Sequence, residues 1–132
     1  RSRGVYCVTS ADGRSEMALA LDAEHLNNFA IAHGGVLMTL LDVAMASAAR
    51  SLVNHQHGVV TIEMKTSFML PARGAQLRAH GRCLHRTQTM AFCEADIVDE
   101  HGRIVARASG TFKYLKAALR PDGDRTPPGD LK

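Results

Sequence analysis

Asp42 stands in the middle of the longest apolar stretch of the chain, Val36 to Ala49, with Leu40, Leu41, Val43 and Ala44 around it. A carboxylate taken out of water is costly unless it is paired. No Lys or Arg lies three or four residues away, where a helix would bring it alongside. A poorly solvated, unpaired carboxylate suits a general base, and carboxylates in such surroundings cluster at functional sites. The plainer alternative is a structural Asp that caps a nearby loop.

His33-Gly34-Gly35 precedes that stretch. Glycines at a helix start leave backbone N–H groups open to approach. With the positive end of the helix dipole, those donors suit an anion or a developing oxyanion. The plainer alternative here is a tight turn or close backbone packing. Geometry links the two features. Gly34 and Asp42 are eight residues apart, about 12 Å along a helix, so they do not reach one reacting carbonyl from the same chain. If both act on one substrate, Asp42 must meet Gly34 of the partner subunit, an arrangement that a two-fold axis between two such helices provides.

Other polar residues are less distinctive. Asn27 precedes the helix and its amide can donate to a carbonyl, with Asn28 beside it as an equally placed turn residue. Thr61 begins the wet face of a later strand and could hold a water. His55, His57, His80, His85 and His101 come with no Cys or acidic ligand set at a recognised metal spacing, so no metal is expected. The absence of a G-x-S-x-G elbow argues against a serine hydrolase of that type. Three cysteines, Cys7, Cys83 and Cys93, with no CxxC pair, argue against a disulfide framework and fit a reducing cytoplasm.

The elements that would position these residues follow from periodicity. Residues 1–14 read as an N-terminal lead-in with a turn at Asp12-Gly13. Ser15 to Leu21 reads as a short strand. The stretch from Val36 to Arg50 is rich in Leu, Met and Ala and is apolar nearly all round, which predicts a helix buried on most sides. The period then changes to two. Val60, Ile62 and Met64 alternate with Thr61, Glu63 and Lys65; Leu77, Ala79 and Gly81 with Arg78, His80 and Arg82; Cys93, Ala95 and Ile97 with Glu94 and Asp96; Ala106, Ala108, Gly110 and Phe112 with Arg107, Ser109, Thr111 and Lys113. Asp99-Glu100-His101-Gly102 is a hairpin signal. Arg78 and Arg82 are placed to pair with Glu94 and Asp96 across strands.

Strand, long helix, then four alternating strands predict an α+β domain over residues 15–116, with one antiparallel sheet covering one helix. Residues 117–132, with Pro121, Pro127 and Pro128, are expected to be a disordered tail. A chain of 132 residues suits one such domain. The formal net charge of +3 permits an anionic ligand. Without a basic run interleaved with aromatics, no nucleic acid is expected. With no apolar run long enough to span a bilayer and no signal-peptide pattern, no membrane is expected either.

Taken together, Asn27, His33-Gly34-Gly35, Leu41-Asp42, Val60-Thr61-Ile62-Glu63-Met64, Phe68-Met69-Leu70-Pro71-Ala72, the Asp99 to Ala106 run and Gly110-Thr111-Phe112 resemble the PaaI-like hotdog-fold thioesterases, over roughly Glu16 to Leu115. The resemblance implies a hotdog fold and hydrolysis of acyl-CoA thioesters at a homodimer interface, usually within a homotetramer. No cofactor is implied beyond the CoA of the substrate itself. It makes Gly34 the N–H that polarises the thioester carbonyl and Asn27 the side-chain donor to the same oxygen. Asp42 becomes the general base or nucleophile, Thr61 helps to orient water, and His33 is part of the motif. Family members often carry Gly three residues after the Asn, where this chain has Ala30. Arg86, Arg73 and Lys113 are the candidates for the CoA phosphates. Two other readings stay open on the residues. One is a non-catalytic acyl-CoA-binding module, which would not need a buried base. The other is a hotdog dehydratase or hydratase, for which His33 is the motif-placed histidine.

Overall fold

The computed structural model describes residues 5–21 and 33–118. Asn27, Asn28, Ala30 and the tail beyond Ala118 lie outside the described residues. The elements run β1 (Val5–Ala11), β2 (Arg14–Ala20), α1 (Gly34–Ser51), β3 (His57–Phe68), β4 (Gln76–Arg86), β5 (Met90–Val98) and β6 (Ile104–Ala118). Six strands form one antiparallel sheet in the order β1-β2-β4-β5-β6-β3. Helix α1 packs against it, chiefly on β4, β2 and β5. This is the hotdog arrangement.

The helix exists because Leu, Met and Ala favour it and because one side of it is covered. Leu37, Leu40, Leu41, Ala44, Met45, Ala48 and Ala49 are buried, against Leu77, Ala79, Ala95, Ile97 and Phe112 of the sheet. With few aromatics available, the layers close by approaching each other. At Gly81 an added Cβ would lie 2.4 Å from the Ala44 carbonyl oxygen. The Ser15 hydroxyl donates to that same oxygen at 2.6 Å. Only glycine on β4 lets the helix backbone sit so close to the sheet.

The helix is not buried on most sides within one chain. Gly35, Met38 and Thr39 are exposed and Asp42 is half-buried, so a stripe along α1 faces away from the sheet. The periodicity could not show this, because the stripe carries Met and Ala as well as polar residues.

Two further expectations are corrected. Residues 5–11 are not part of a loose lead-in but form β1, joined to β2 through Asp12-Gly13, where φ is 56° and 79°. An edge strand gains ladder hydrogen bonds on one side without burying a full face, so it leaves little alternation to read. The second correction concerns β3. Val60 and Ile62 are exposed, while Thr61 lies opposite the buried Phe112 and so shares the helix-facing side. A bulge between Thr61 and Glu63 changes the parity of the strand. It returns Met64 to the helix side, opposite Gly110.

The outer face of the sheet carries the expected charges. Arg82 pairs with Glu94 at 2.7 Å and Asp96 at 3.2 Å. Arg78 pairs instead with Glu16 of β2, and Arg107 takes the other oxygen of Asp96. The predicted β5–β6 hairpin is held by Asp99, whose carboxylate accepts from the N–H of His101 (2.9 Å) and Arg103 (3.0 Å) and from Arg103 Nε (2.9 Å). Burial pushes this carboxyl up. The two amides and the guanidinium outweigh that and hold it below the usual carboxylate range.

Candidate functional site

The parity change in β3 has a direct chemical result. Thr61 Oγ1 donates to Asp42 Oδ1 at 2.8 Å. Among the described residues this is the only hydrogen bond to the Asp42 carboxylate. Thr61 therefore acts first on the carboxylate, rather than on a water alone. It fixes the side chain's direction and leaves Oδ2 to accept a proton.

Asp42 borders two cavities. One, of about 300 Å³, is lined by Gly35, Met38, Thr39, Thr61 and Met64. The other, of about 540 Å³, runs along α1 past Val43, Ala46 and Ser47 and is closed by β1. A carboxylate anchored at one oxygen, beside open space on two sides, is placed to act on a bound molecule.

Gly34 lies elsewhere. It lines a separate cavity of about 390 Å³ with Leu37, Phe68, Met69, Leu70 and Pro71. The structure does not bring Gly34 and Asp42 of one chain to a common cavity, as the helix spacing requires. His33 is the N-cap residue, exposed and extended, and its side chain makes no cap hydrogen bond. Its carbonyl accepts from the N–H of Val36 and Leu37.

The two glycines carry a further signal. Neither has a positive φ. A Cβ at Gly34 would make only ordinary contact with the Phe68 ring at 3.6 Å, and one at Gly35 would meet nothing within 4 Å. Neither backbone conformation nor packing within the described residues asks for glycine here. What glycine does provide is unhindered access to first-turn amides that no helical carbonyl takes.

The three basic candidates do not converge. Arg86 lies with its guanidinium carbon 4.9 Å from the Tyr114 ring centre. It lines a cavity of about 380 Å³ together with His57, Gln88, Thr89 and Lys116. Lys113 is exposed on the opposite side of β6 from Phe112 and Tyr114, and Arg73 lies in the connection between β3 and β4; neither lines that cavity. Lys116 is not a residue that the sequence pattern singles out. It lies where β6 runs past the end of the patterned region, and only the fold brings it beside Arg86. Among the described residues no three His, Cys, Asp or Glu side chains form a metal-binding group, and no helix is long and apolar enough to cross a membrane.

Comparison with known proteins bears on this geometry. The family model of the thioesterase superfamily matches residues 29–106. A Pseudomonas aeruginosa protein named "Putative esterase" is 35% identical over 108 residues, covering 81% of this chain and 80% of that one. Human acyl-coenzyme A thioesterase 13 is 26% identical over 113 residues, covering 84% and 79%. A mutant structure of the phenylacetic acid degradation protein PaaI from Thermus thermophilus superposes with a TM-score of 0.76 at 25% identity, covering 86% of this chain and 95% of that one.

Proposed function

The chain belongs to the thioesterase superfamily as a PaaI-like hotdog enzyme, and from that premise we propose that it hydrolyses acyl-CoA thioesters to the free acid and CoA. The observation that carries this reading is the Asp42 carboxylate, held by Thr61 at 2.8 Å beside two cavities. The acyl-CoA thioesterase among its relatives supports the substrate class.

In this reading the thioester carbonyl oxygen lies against the Gly34 amide at the start of α1. The N–H and the helix dipole stabilise the charge that develops on that oxygen. Asp42 of the facing subunit acts as general base or as nucleophile. As a base it takes a proton from water while the water oxygen bonds to the carbonyl carbon; the C–S bond then breaks and CoA leaves as the thiol with one proton. Thr61 keeps the carboxylate aimed. Asn27 is the further donor to the carbonyl oxygen, and His33 shapes the approach to Gly34. The reaction needs no separate cofactor.

Assembly from two copies follows from the spacing of Gly34 and Asp42, and β3 supports it. β3 is an edge strand of 12 residues, paired among the described residues with β6 alone, with Val60 and Ile62 exposed upon it. A long edge strand with exposed apolar side chains is suited to pairing with a second copy. A homodimer would form the site, and pairing of dimers a homotetramer. Arg86, with Lys116 in the same cavity, is the best placed of the basic residues for the CoA phosphates; Arg73 and Lys113 remain secondary candidates. The free cysteines suit a cytoplasmic setting.

The test is free-thiol release from aryl, short-chain and long-chain acyl-CoAs, comparing the protein with its Asp42→Asn variant. Turnover should fall by at least ~100-fold on loss of the base, with acyl-CoA binding retained. Acyl-CoA binding without turnover on any substrate would instead assign the protein a non-catalytic binding role.

A further inference from the structure

Two of the three cysteines face each other across the sheet. Cys83 of β4 and Cys93 of β5 stand directly opposite in the antiparallel register. The Cys83 N–H donates to the Gly13 carbonyl at 2.8 Å, on the β2 side of the strand. In an antiparallel strand the N–H and C=O of one residue point the same way. Cys83 and Cys93 therefore share no backbone hydrogen bond and form the closely spaced kind of pair, with Cα atoms about 4.5 Å apart. Both side chains turn to the helix side, where Cys93 is buried and Cys83 packs on the margin of the core. A disulfide spans Cα separations of about 4.4–6.8 Å, so the two strands already stand at bonding distance.

The two sulfurs are not equivalent. Burial pushes the Cys93 thiol up, and the neighbouring Cys83 sulfur adds to this by its charge and its hydrogen bond. Cys83 is half-buried, so it is the sulfur of the pair that a soluble oxidant meets first. With a hydroperoxide, the Cys83 sulfur attacks one peroxide oxygen. The O–O bond breaks, water or an alcohol leaves, and Cys83 becomes a sulfenic acid. It then bears no thiolate charge, and that part of the opposition to ionising Cys93 disappears. The Cys93 sulfur attacks the Cys83 sulfur, the S–O bond breaks, and a second water leaves with the Cys93 proton. The sulfur pair loses two electrons and the hydroperoxide gains them.

The pair lies at the irregular end of β4. The register shifts between Cys83 and His85, which leaves Leu84 as the extra residue of a bulge. The Cys83 thiol donates to the His85 carbonyl at 3.4 Å across this bulge. The next residue is Arg86, whose guanidinium lies over the Tyr114 ring. Closing a disulfide removes the thiol proton and turns the sulfur towards β5, so the His85 carbonyl loses its donor just before Arg86. We propose that Cys83 and Cys93 are a redox pair, closed by a hydroperoxide into a cross-strand disulfide, and that closure loosens the hold of Arg86 on an anionic ligand. The second half rests on the reading of Arg86 as a partner of the CoA phosphates; the first half does not. Transient disulfides of this sort are the kind that a reducing compartment permits.

The experiment uses the full chain in a Cys7→Ser background, which leaves Cys83 and Cys93 as its cysteines. Reduced protein is treated with limiting hydrogen peroxide, unfolded and alkylated, and its mass is read. Both thiols should be alkylated before treatment and neither after it, with two hydrogens lost and both thiols restored by dithiothreitol. Two thiols still alkylated after treatment, or a sulfinic acid on Cys83 beside a free Cys93 thiol, would overturn the pair. Calorimetry with desulfo-CoA, which cannot reduce a disulfide, reads the second half. Its Kd should rise by at least about fivefold on oxidation, the lower end of ordinary coupling between sites, and return on reduction. In Cys83→Ser peroxide should leave Kd unchanged. Equal Kd in the oxidised and reduced protein, or binding to neither, would overturn the link to Arg86. Neither readout involves turnover, so failure of the hydrolase reading shows separately, as acyl-CoA left uncleaved by the reduced protein.

Discussion

The two ends of α1 are built by opposite rules. At the C-terminal end the last-turn groups are taken up by the protein itself. Ser51 Oγ donates to the Ala48 carbonyl and accepts the Gly13 N–H at 2.8 Å. Tyr114 donates to the Ala49 carbonyl at 2.6 Å, and burial pushes its hydroxyl pKa up. Arg50 donates to the carbonyls of His55 and His57. Among the described residues, the N-terminal end has no side-chain cap, no acidic residue in its first turn, and two glycines that packing does not demand. First-turn amides of a helix have no intrahelical partner and suit an anion or a developing oxyanion. The C-terminal end anchors the helix to the sheet, and in the proposed function the N-terminal end presents its amides to the substrate.

The sharpest way to break this contrast is Gly34→Pro. Proline suits the first helical position, and His33 (φ −61°, ψ 143°) already has the extended backbone preferred before proline. Thermal unfolding should therefore change little. The amide donor is lost, however, so kcat should fall by roughly 10²–10³, as on removing one oxyanion donor. Unchanged turnover would mean that the open amide does nothing.

The matching change at the other end is Ser51→Ala. It leaves the buried Gly13 N–H without its acceptor, so stability should fall by about 2 kcal/mol and Tm by roughly 8 °C. Turnover measured well below Tm should hold within a few-fold. A large catalytic loss with Tm intact would show that the C-terminal end also serves the chemistry.

A smaller effect sharpens the contrast from a third place, the β5–β6 hairpin. Because the folded Asp99 pKa is lowered, its contribution to stability is present above the unfolded value of about 3.9 and is lost as pH falls through the folded value. Asp99→Asn should be less stable than the parent at pH 7, and the difference should shrink below about pH 4. Urea titrations at both pH values would show it. A gap of constant size across that window would assign the hairpin's stability to shape rather than charge.

Much of the fold is legible in the residues because it rests on local regularities. Leu, Met and Ala in an unbroken run make α1, and alternation makes β4, β5 and β6 with their inner and outer faces in the right places. The Arg82 pairs with Glu94 and Asp96 follow from that register. β1 is not legible because an edge strand need not bury a face, and the sides of β3 are misread because one inserted residue reverses parity without any mark in composition. In the candidate site, Asp42 and Gly34 stand out by type and spacing, and Thr61 only through the family resemblance. The role of Thr61 as the carboxylate's own partner depends on that bulge, and Lys116 is brought beside Arg86 from an element distant in the chain.

The sequence by itself determined the α+β fold class, the helix that bears Asp42, and the need for two copies if Gly34 and Asp42 meet one substrate, because rise per residue and side-chain period are local properties of the backbone. Only the tertiary structure decided which way Thr61 faces, which cavities open at Asp42 and which polar groups close them. Those depend on how the sheet registers and closes over the helix, and no local pattern encodes them.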